Sequence, residues 1–584
     1  MLGDVEHCVR VLERLAAASG RVDLKCKALR QLRKAAVPFL QAACPDLPQS
    51  LGQPRAMRQR AREAHRKERK RKRWHDLQMK SQCQLRCARL ANVLQLEDAS
   101  IDDKQASATT KRQRVPDGPV LLPSGLQLSD DGDVPAAEER HFANKQRCYI
   151  CKSLFTKVHH FYADLCPSCA AFNYKKRSAS VCMEGRVCLV TGARVKVGFH
   201  ICLKLLRMGA RVIATTRFTE DAKERFEAEP DSANWWSRLE VVGLDFRFVG
   251  GVEKFCEWLC EREAHLDVVI NNAAQTIRRP AAYYRHLLEK ETFRTSPAPM
   301  QNCLLWTAGL LPLKATASGA SVLLSAGSAP APPSLAPTTL SPDLSSSSDC
   351  GTSPLMSAQS CMSPFTSAEA TQLAVLPEDT CTHDPHFPQG EFDAQGQQLD
   401  LRRKNTWTSK LGEVSSTEAL EVFFVNVVAP FLLNSRLLPL LRRSPNQGRY
   451  VVNVSAMEGK FNRIKTCFHP HTNMAKAALN MMTRTCAADL ARSGGIFMTS
   501  VDTGWINDEH PTPDALRRAE RGFQTPLDEV DAAARVLDPV ISGVRFTAEA
   551  GLPPPPQRNA ERQPDPDAGP VWGIFLKDYK ETTW

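Results

Sequence analysis

The chain has 584 residues, of which 42% are hydrophobic and 24% are charged. This length predicts two or three folded units with linkers, and the composition excludes neither an enzyme nor a scaffold. The formal net charge of +12 is unevenly spread, since residues 58–73 carry ten Lys/Arg and two Glu. Such a run suits a protein partner, a nucleic acid or an import receptor, and equally a solvated helix face.

The cysteines and the apolar runs indicate the cellular compartment. Many of the twenty cysteines, such as Cys188 and Cys202, lie singly in apolar stretches, which favours a reducing environment over a disulfide framework. The N-terminus resembles no secretory or mitochondrial leader, and no run of about 18 apolar residues occurs. We therefore expect a cytoplasmic or nuclear protein without a membrane span, and a homo-oligomer is left open.

Periodicity and composition divide the chain into segments. Apolar positions at three- and four-residue steps indicate helices near the N-terminus, whereas a Ser/Pro-rich stretch without Lys or Arg from 315 to 368 indicates disorder. The predicted segments are a helical basic region at 1–98, a linker at 99–146, a four-cysteine module at 147–177, the first part of an α/β domain at 181–295, a disordered insertion at 296–398, and the second part with a C-terminal extension at 399–584.

Strands alternate with helices in both parts of the α/β domain. The predicted strands include 187–190, 211–214, 266–270, 449–454 and 496–501. The predicted helices include 199–208, 417–438 and 473–492. This alternation predicts a parallel sheet with helices on both faces.

Two CxxC pairs, Cys148 with Cys151 and Cys166 with Cys169, are separated by fourteen residues. Two tight turns at this spacing present four thiolates to one tetrahedral Zn²⁺, and the alternative is a set of buried or redox-active cysteines. Four protein ligands leave no position open for water, so we expect a structural zinc.

A glycine turn follows the predicted strand 187–190 and leads into a helix. It contains Thr191, Gly192 and Gly198, an arrangement that directs backbone N–H groups and a helix N-terminus towards a pyrophosphate. Arg194 and Lys196 add two cations near the expected phosphates, for which the alternative role is surface solubility. The predicted fold class is a doubly wound parallel Rossmann sheet.

This turn, together with Asn271, Asn272 and Ala273 after the strand 266–270, resembles the short-chain dehydrogenase/reductase family, whose turn reads TGxxxGxG. Lys196 replaces the middle glycine of that pattern. The resemblance implies that these residues bind a nicotinamide dinucleotide and that Asp245 contacts its adenine. Segments 469–484 and 501–505 resemble a divergent branch of the family whose eukaryotic members carry a zinc-cysteine segment ahead of the Rossmann unit.

The end of the second strand indicates which dinucleotide binds. Family members that select NAD usually carry an acidic residue there for the ribose hydroxyls, whereas this chain has Arg217. A guanidinium suits a 2′-phosphate, so NADP is predicted in preference to NAD.

The catalytic residues of the family are only partly present. The resemblance implies that Asn426 supports a proton relay and that Lys476 holds the cofactor ribose and activates a tyrosine. That tyrosine is replaced by Thr472, and no Tyr occurs from 459 to 495. The family's serine position is Ala456, and Ser455, one residue away, is expected to face the opposite side of the strand.

Replacement acid/base groups are therefore required if the chain is an enzyme. His469 and His471 titrate in the appropriate range, and Tyr283 or Tyr284 is a further source of a proton. The alternative is that these residues only pack or hydrogen-bond locally. Two functions stay open: an NADP-binding oxidoreductase with non-standard catalytic residues, and an inactive Rossmann scaffold whose zinc module and basic arm bind partners.

Overall fold

A computed structural model describes residues 55–89, 140–293, 303–306, 367–372, 379, 384–393, 395–557 and 560–584. The predicted N-terminal region before residue 55, most of the predicted linker and most of the predicted insertion lie outside these residues.

The described strands form a small hairpin and one large sheet. The strands are β1 (His141–Arg147), β2 (Leu154–Lys157), β3 (Val187–Thr191), β4 (Arg211–Thr216), β5 (Leu239–Leu244), β6 (Val268–Asn271), β7 (Cys303–Trp306), β8 (Arg449–Ser455), β9 (Ile496–Asp502), β10 (Phe575–Lys577) and β11 (Lys580–Thr582). β1 and β2 pair antiparallel in the cysteine module. The large sheet has the order β11-β10-β9-β8-β6-β3-β4-β5-β7, and all its pairs are parallel except β10 with β11.

Helices cover both faces of the large sheet and extend to the N-terminal region. The α-helices are α1 (Arg55–Ser81), α2 (Pro167–Arg177), α3 (Lys196–Arg207), α4 (Thr219–Glu227), α5 (Val249–Arg262), α6 (Arg285–Phe293), α7 (Ser416–Phe423), α8 (Ala429–Arg436), α9 (Leu438–Arg442), α10 (Pro470–Gly494), α11 (Thr512–Glu520) and α12 (Glu529–Ala550). A π-helical turn, Phe424–Val428, joins α7 to α8.

The central strands are apolar because both of their faces are covered. Every residue of β3 and of β9 is buried, as expected for parallel strands between two layers of helices. The strand order reverses at β3, since β4 lies on one side of it and β6 on the other. The crevice outside the carboxyl ends of β3 and β6 is thus the topological switch point, where doubly wound sheets bind ligands.

The helical run Ser416–Arg436 is long and apolar enough to cross a membrane by length and composition, and 44% of its most apolar window is buried. Its residues Ala429, Leu432 and Leu433 belong to the same buried cluster as the central strands. A core helix of this kind satisfies the same length and composition test.

Several short pieces of the predicted insertion are folded, which differs from the prediction of disorder across 296–398. β7 extends the sheet edge beside β5, and the Ser367 hydroxyl donates to the Arg217 carbonyl at 2.8 Å. Residues 384–393 and 395–398 also have defined positions. Low sequence complexity does not reveal such pieces, because their order comes from packing against the sheet and not from their own composition.

Candidate cofactor and metal sites

The glycine turn lies at the carboxyl end of β3, and its backbone approach depends on the absence of side chains. Gly192 has a φ of +67°, and a Cβ there would lie 2.8 Å from the Ala273 Cα. A Cβ on Gly198 would lie 2.6 Å from the Asn272 amide nitrogen and still closer to the Gly192 carbonyl oxygen. The Thr191 hydroxyl accepts hydrogen bonds from the Asn272 and Ala273 N–H groups at 3.0 and 2.9 Å. These contacts hold the turn against the end of β6.

Lys196 begins α3 in the left-handed region, with a φ of +56°. It occupies the middle glycine position of the family pattern, so the chain keeps the turn's conformation although it has lost the glycine. A side chain in this conformation costs about 1–2 kcal/mol. Lys196 lines the adjoining cavity, where its charge would face a bound phosphate.

Replacing Lys196 by glycine is expected to raise stability by about 0.5–1 kcal/mol, because the strain is relieved but the unfolded chain gains freedom. The same change is expected to weaken NADPH binding severalfold through loss of the cation. Urea unfolding and a cofactor titration of one preparation measure the two effects. A variant that gains stability and binds NADPH as tightly as the native chain would show that the ammonium has no role in binding.

Arg194, the second cation predicted for the phosphates, is already paired. Its Nη1 donates to Asp221 Oδ2 at 2.7 Å, and its guanidinium lies over the Phe218 ring. Both charged groups are largely buried, so the pair joins the turn to α4. Arg194 still lines the cavity, but its charge is compensated by Asp221 before any ligand binds.

Arg217 follows β4 and lies next to the rings of Phe218 and Tyr284. Its guanidinium is 4.8 Å from the centroid of the Tyr284 ring and 5.6 Å from that of Phe218, and its Nη2 donates to the Tyr284 hydroxyl at 3.1 Å. Burial raises the pKa of Tyr284, but the charges of Arg217 and Arg279 outweigh burial and the pKa is lowered overall. Arg217, Phe218 and Tyr284 all line the cavity.

Tyr284 is therefore badly placed to replace the family's catalytic tyrosine. It contacts the residue after β4, whereas Ser455 ends β8, three strands away in the sheet. Neighbouring strands are about 4.8 Å apart, so this offset is roughly 14 Å. Tyr284 belongs to the β4 end of the crevice, and Tyr283 packs beside it with ring centroids 5.0 Å apart.

Asp245 follows β5 and lines the cavity, but its carboxylate is engaged. Arg247 Nη2 donates to Asp245 Oδ2 at 2.7 Å, and the Arg247 N–H donates to Oδ1 at 3.0 Å. Burial raises the pKa of Asp245, and Arg247 and Arg217 more than reverse this, so the group is a carboxylate. An adenine bound here would contact the Asp245 carboxylate, a hydrogen-bond acceptor whose orientation Arg247 already fixes.

The two asparagines after β6 have different environments. Asn272 lines the cavity and donates to the Thr191 carbonyl at 2.9 Å, which supports the glycine turn. Asn271 is buried in the sheet, where its Nδ2 donates to the Asn434 and Asn453 side-chain oxygens, each at 2.8 Å. Asn271 does not line the cavity, so the structure does not place it against a cofactor as predicted. Its hydrogen bonds instead join β6 to β8 and α8.

A cavity of about 780 Å³ opens at the switch point. This volume falls within the range of small-molecule and cofactor sites. The sequence-predicted cofactor residues that line it are Gly192, Arg194, Lys196, Gly198, Arg217, Asp245, Asn272 and Ala273. These residues form one wall of the cavity, and their role in binding a cofactor stays a prediction.

The catalytic candidates lie behind the cavity and do not line it. Asn426 is in the π-helical turn, where its Nδ2 donates to the Gln275 and Val422 carbonyls, each at 2.8 Å. Its Oδ1 accepts from the Gln275 N–H at 3.3 Å. Asn426 therefore holds Gln275, a cavity-lining residue, in place.

Lys476 is buried, and its Nζ donates to the Val454 carbonyl at 2.8 Å. Burial lowers the pKa of Lys476 to about 8, against a smaller opposing effect of Glu458. The lysine predicted to hold the cofactor ribose thus points at the β8 backbone in this structure. A bound ribose would have to replace or share that contact.

The pKa of Lys476 predicts a pH dependence of stability. Between pH 8 and 10.5 the folded state has lost the proton that the unfolded state still binds, so the free energy of unfolding rises with pH through this window. The expected gain from pH 8 to 10 is about 2 kcal/mol relative to Lys476→Met. Urea unfolding of both proteins at the two pH values measures it, and a constant difference between them would contradict the burial of the ammonium.

Ser455, His471 and Thr472 are also buried, and their side-chain polar atoms have no hydrogen-bond partner among the residues that the structure describes. The main chain of Thr276, which lines the cavity, lies next to the His471 ring without forming a hydrogen bond of good geometry. Burial lowers the pKa of His471. Polar atoms without a partner are costly in a protein interior.

His469 contacts the segment that precedes α7. The His469 ring stacks on Trp407 with centroids 4.0 Å apart, and its Nδ1 lies 2.8 Å from the Trp407 carbonyl oxygen. The same segment, which includes Asn405 and Trp407, is joined to the loop before α11 by a hydrogen bond from Asn405 Nδ2 to the Glu509 carbonyl at 3.0 Å. His469 thus holds the Trp407 segment in place, which favours a structural role over acid/base chemistry for this histidine.

Sequence reasoning missed the residues that form the opposite wall of the cavity. His510 and Asp508 line it, with His510 Nδ1 and Asp508 Oδ1 2.6 Å apart, and Arg89 reaches it from the N-terminal region. His510, Asp508 and Arg89 belong to no family motif that is recognisable in the sequence. Arg278, seven residues after Asn271, is buried in ion pairs with Asp379 and Glu421.

The four paired cysteines converge as predicted. The thiol sulfurs of Cys148, Cys151, Cys166 and Cys169 all lie within 4.8 Å of one another, and those of Cys151 and Cys166 are 3.6 Å apart. A tetrahedron with Zn–S bonds of 2.3 Å has S–S edges of about 3.8 Å. Burial opposes ionisation of Cys166, but the Ser168 hydroxyl and neighbouring groups lower its pKa to about 6. The donor set therefore fits Zn²⁺.

The cysteine module packs against the loop and helix that follow β9. Tyr149, inside the first CxxC pair, accepts a hydrogen bond from the Trp505 N–H at 3.0 Å. The Tyr162 hydroxyl donates to Asp531 at 2.5 Å, and Arg177 donates to Asp528 at 2.5 Å. The module thus holds the segment between β9 and α12, whose residues line one side of the cavity.

A family profile described as short chain dehydrogenase matches residues 186–322 and 403–514. An uncharacterized protein of Acanthamoeba polyphaga mimivirus, R665, is 30% identical over 404 residues, which cover 68% of this chain and 71% of the viral protein. Retinol dehydrogenase 14 of Mus musculus is 38% identical over 102 residues, which cover 16% of this chain and 30% of that enzyme. Among solved structures, a short chain dehydrogenase of Burkholderia cenocepacia in complex with NADP aligns with a TM-score of 0.35 and 14% identity, covering 68% of this chain and 96% of that one.

The parallel sheet and the glycine turn at its switch point define a doubly wound, Rossmann-type α/β fold. The chain belongs to the short-chain dehydrogenase/reductase family, a family of oxidoreductases.

Proposed function

We propose that the chain is an NADP-dependent oxidoreductase that works with non-standard acid/base residues. The observation that carries this proposal is the cavity at the switch point, where the glycine turn and Arg217 lie on one wall. Arg217 stacks on Tyr284 and Phe218 while keeping several N–H donors, a setting that suits a ribose 2′-phosphate. The nicotinamide would supply the hydride for reduction of a carbonyl.

The chain's own residues must orient the cofactor and provide the proton. We propose that the turn's N–H groups and Lys196 bind the phosphates and that Lys476 turns from the Val454 carbonyl to the ribose. His471 is the proposed proton donor, because its ring is unpartnered and lies against Thr276 in the cavity wall. Ser455 and Thr472, whose hydroxyls have no hydrogen-bond partner among the described residues, would steady the substrate oxygen.

A structural zinc is proposed for the four cysteines. Their mutual distances support it, and four thiolates complete a tetrahedron without leaving a position for substrate. The zinc would stabilise the module that holds the segment between β9 and α12.

One observation favours the second function, an inactive scaffold. Ser455, His471, Thr472 and Lys476 are all buried, and none of them lines the cavity. In a scaffold, the nucleotide would support the fold while the surface binds partners. The two functions agree on nucleotide binding and differ on turnover.

Arg217→Glu tests the cofactor assignment. It is expected to weaken NADPH binding by about 1.5–3 kcal/mol, which is roughly ten- to 150-fold, because a charged hydrogen bond to the 2′-phosphate is lost. NADH binding should change much less. Fluorescence titration with both cofactors measures the selectivity, and Arg442→Glu, an exposed residue of α9, is the matched control. Equal losses for NADPH and NADH would contradict the 2′-phosphate assignment.

A further inference from the structure

Helix α1 is anchored near its C-terminal end and exposed in its middle part. Near its C-terminus, Asp76 accepts hydrogen bonds from the Ala143 N–H and the Asn144 side chain, each at 2.6 Å, and Lys80 pairs with Asp164. From residue 62 to residue 71 every side chain is exposed. The helix spans 27 residues, so it is about 40 Å long, and its basic part extends away from these anchoring contacts.

The basic part of α1, residues 62–73, in which every side chain except the half-buried Lys72 is exposed, carries a strong positive charge. Residues 62–73 include eight Lys/Arg and two Glu, a net charge of +6. Lys72 pairs with Glu68 at 2.9 Å, where both side chains stay about half exposed, so this pair removes little of the field. This concentration of charge requires a polyanionic partner or a large counterion cloud.

The basic residues surround the helix. At 100° per residue, Arg62, Arg66 and Arg73 lie on one side, Lys67 and Arg71 on the opposite side. A helix that binds a membrane surface needs an apolar face, and residues 62–73 have none. A flat acidic protein surface would contact one side and leave the other side's charges uncompensated. A groove with phosphates on both walls compensates all sides at once.

We propose that the exposed part of α1 binds double-helical nucleic acid by lying in a groove. The major groove of B-form DNA is about 12 Å wide and admits an α-helix, whereas the corresponding groove of A-form RNA is too narrow. Contacts would be made mainly to phosphates, so binding is independent of base sequence. The cysteine module fixes the direction in which the helix leaves the Rossmann domain.

The test uses the full-length chain with labelled duplexes of about 20 base pairs, long enough for a helix of this size. Fluorescence anisotropy is measured between about 50 and 200 mM salt. DNA duplex is expected to bind more tightly than RNA duplex or single-stranded DNA, with a log–log salt slope near −5 for about six phosphate contacts. Anionic phospholipid vesicles and poly-glutamate are the competing polyanions.

A quadruple variant removes four of the helix charges while keeping good helix formers. Arg66→Gln, Lys67→Gln, Arg69→Gln and Lys70→Gln together are expected to weaken duplex binding at least tenfold and to reduce the slope by about 3–4. The control removes the same charge elsewhere on the surface, at four exposed residues: Arg403→Gln, Arg442→Gln, Arg484→Gln and Lys580→Gln.

Unchanged duplex binding by the helix variant, or an equal loss in the control, would overturn the proposal. Tighter binding to vesicles, poly-glutamate, single strands or RNA duplex than to DNA duplex would overturn the groove geometry. Circular dichroism and the thermal midpoint of both variants identify a misfolded sample, and NADPH binding, which involves other residues, should be the same in both.

Discussion

Replacing Gly198 by alanine is expected to weaken NADPH binding at least a hundredfold and to lower the free energy of unfolding by about 3 kcal/mol. The new Cβ would lie 2.6 Å from the Asn272 side-chain nitrogen and closer still to the Gly192 carbonyl oxygen, so the backbone of the turn must move. A displaced turn misdirects several N–H donors, and each charged hydrogen bond lost costs about 1.5–3 kcal/mol. Cofactor titration and urea unfolding measure the two effects.

Gly250→Ala is the matched control for this change. Gly250 lies in α5, and a Cβ there meets no atom within 4 Å. Alanine should therefore leave NADPH binding unchanged and raise stability slightly, by about 0.5–1 kcal/mol. If Gly198→Ala behaves like this control, the turn does not bind the pyrophosphate.

Loss of the proposed zinc should destabilise the chain and also weaken NADPH binding. Cys151→Ser is expected to abolish stoichiometric zinc and to lower the thermal midpoint by about 10 °C, because binding at four-thiolate sites contributes several kcal/mol to folding. A roughly tenfold loss of NADPH affinity should follow, since the module holds the segment after β9 through Tyr149 and Trp505. Metal analysis, thermal unfolding and titration measure these three quantities.

Cys182→Ser is the control for the cysteine. Cys182 is exposed, follows the module and is outside the four-thiol cluster. Zinc content and NADPH binding should match the native chain. A zinc-free Cys151→Ser protein that keeps both native stability and native affinity would contradict the coupling between module and cavity.

The sequence predicted the sheet because its strands are buried on both faces and read as unbroken apolar runs. β3 was predicted at 187–190 and extends to Thr191, and β9 was predicted at 496–501 and extends to Asp502. The last residue was missed in each case because it is polar. Residues 417–438 were predicted as one helix, whereas the structure has a π-helical turn at Phe424–Val428, a local feature that apolar periodicity does not reveal.

The sequence predicted the candidate site where a motif defines the backbone conformation. It did not predict which side chains form hydrogen bonds or ion pairs with one another. Gly192 and Gly198 lie where the turn requires them, since a Cβ at either position meets backbone or side-chain atoms. Arg194 was predicted as a phosphate ligand but pairs with Asp221, which is distant in sequence and has no recognisable spacing to it. His510 was missed because no motif surrounds it.

The sequence predicted that Ser455 faces away from the site. The only basis for this prediction was that successive side chains of a strand point to opposite faces. Ser455 is 2% exposed and Ala456 is more exposed. Ser455, His471 and Thr472 share one property that sequence cannot supply, namely polar atoms without partners in the interior.

The measurement that tests the central claim most directly is a titration of the purified full-length chain, folded and carrying one zinc, with NADPH and NADH. We predict saturable binding of one NADPH per chain, with NADPH preferred at least tenfold over NADH because of Arg217. No binding of either nucleotide by such a sample would contradict the cofactor assignment and, with it, the proposed oxidoreductase function.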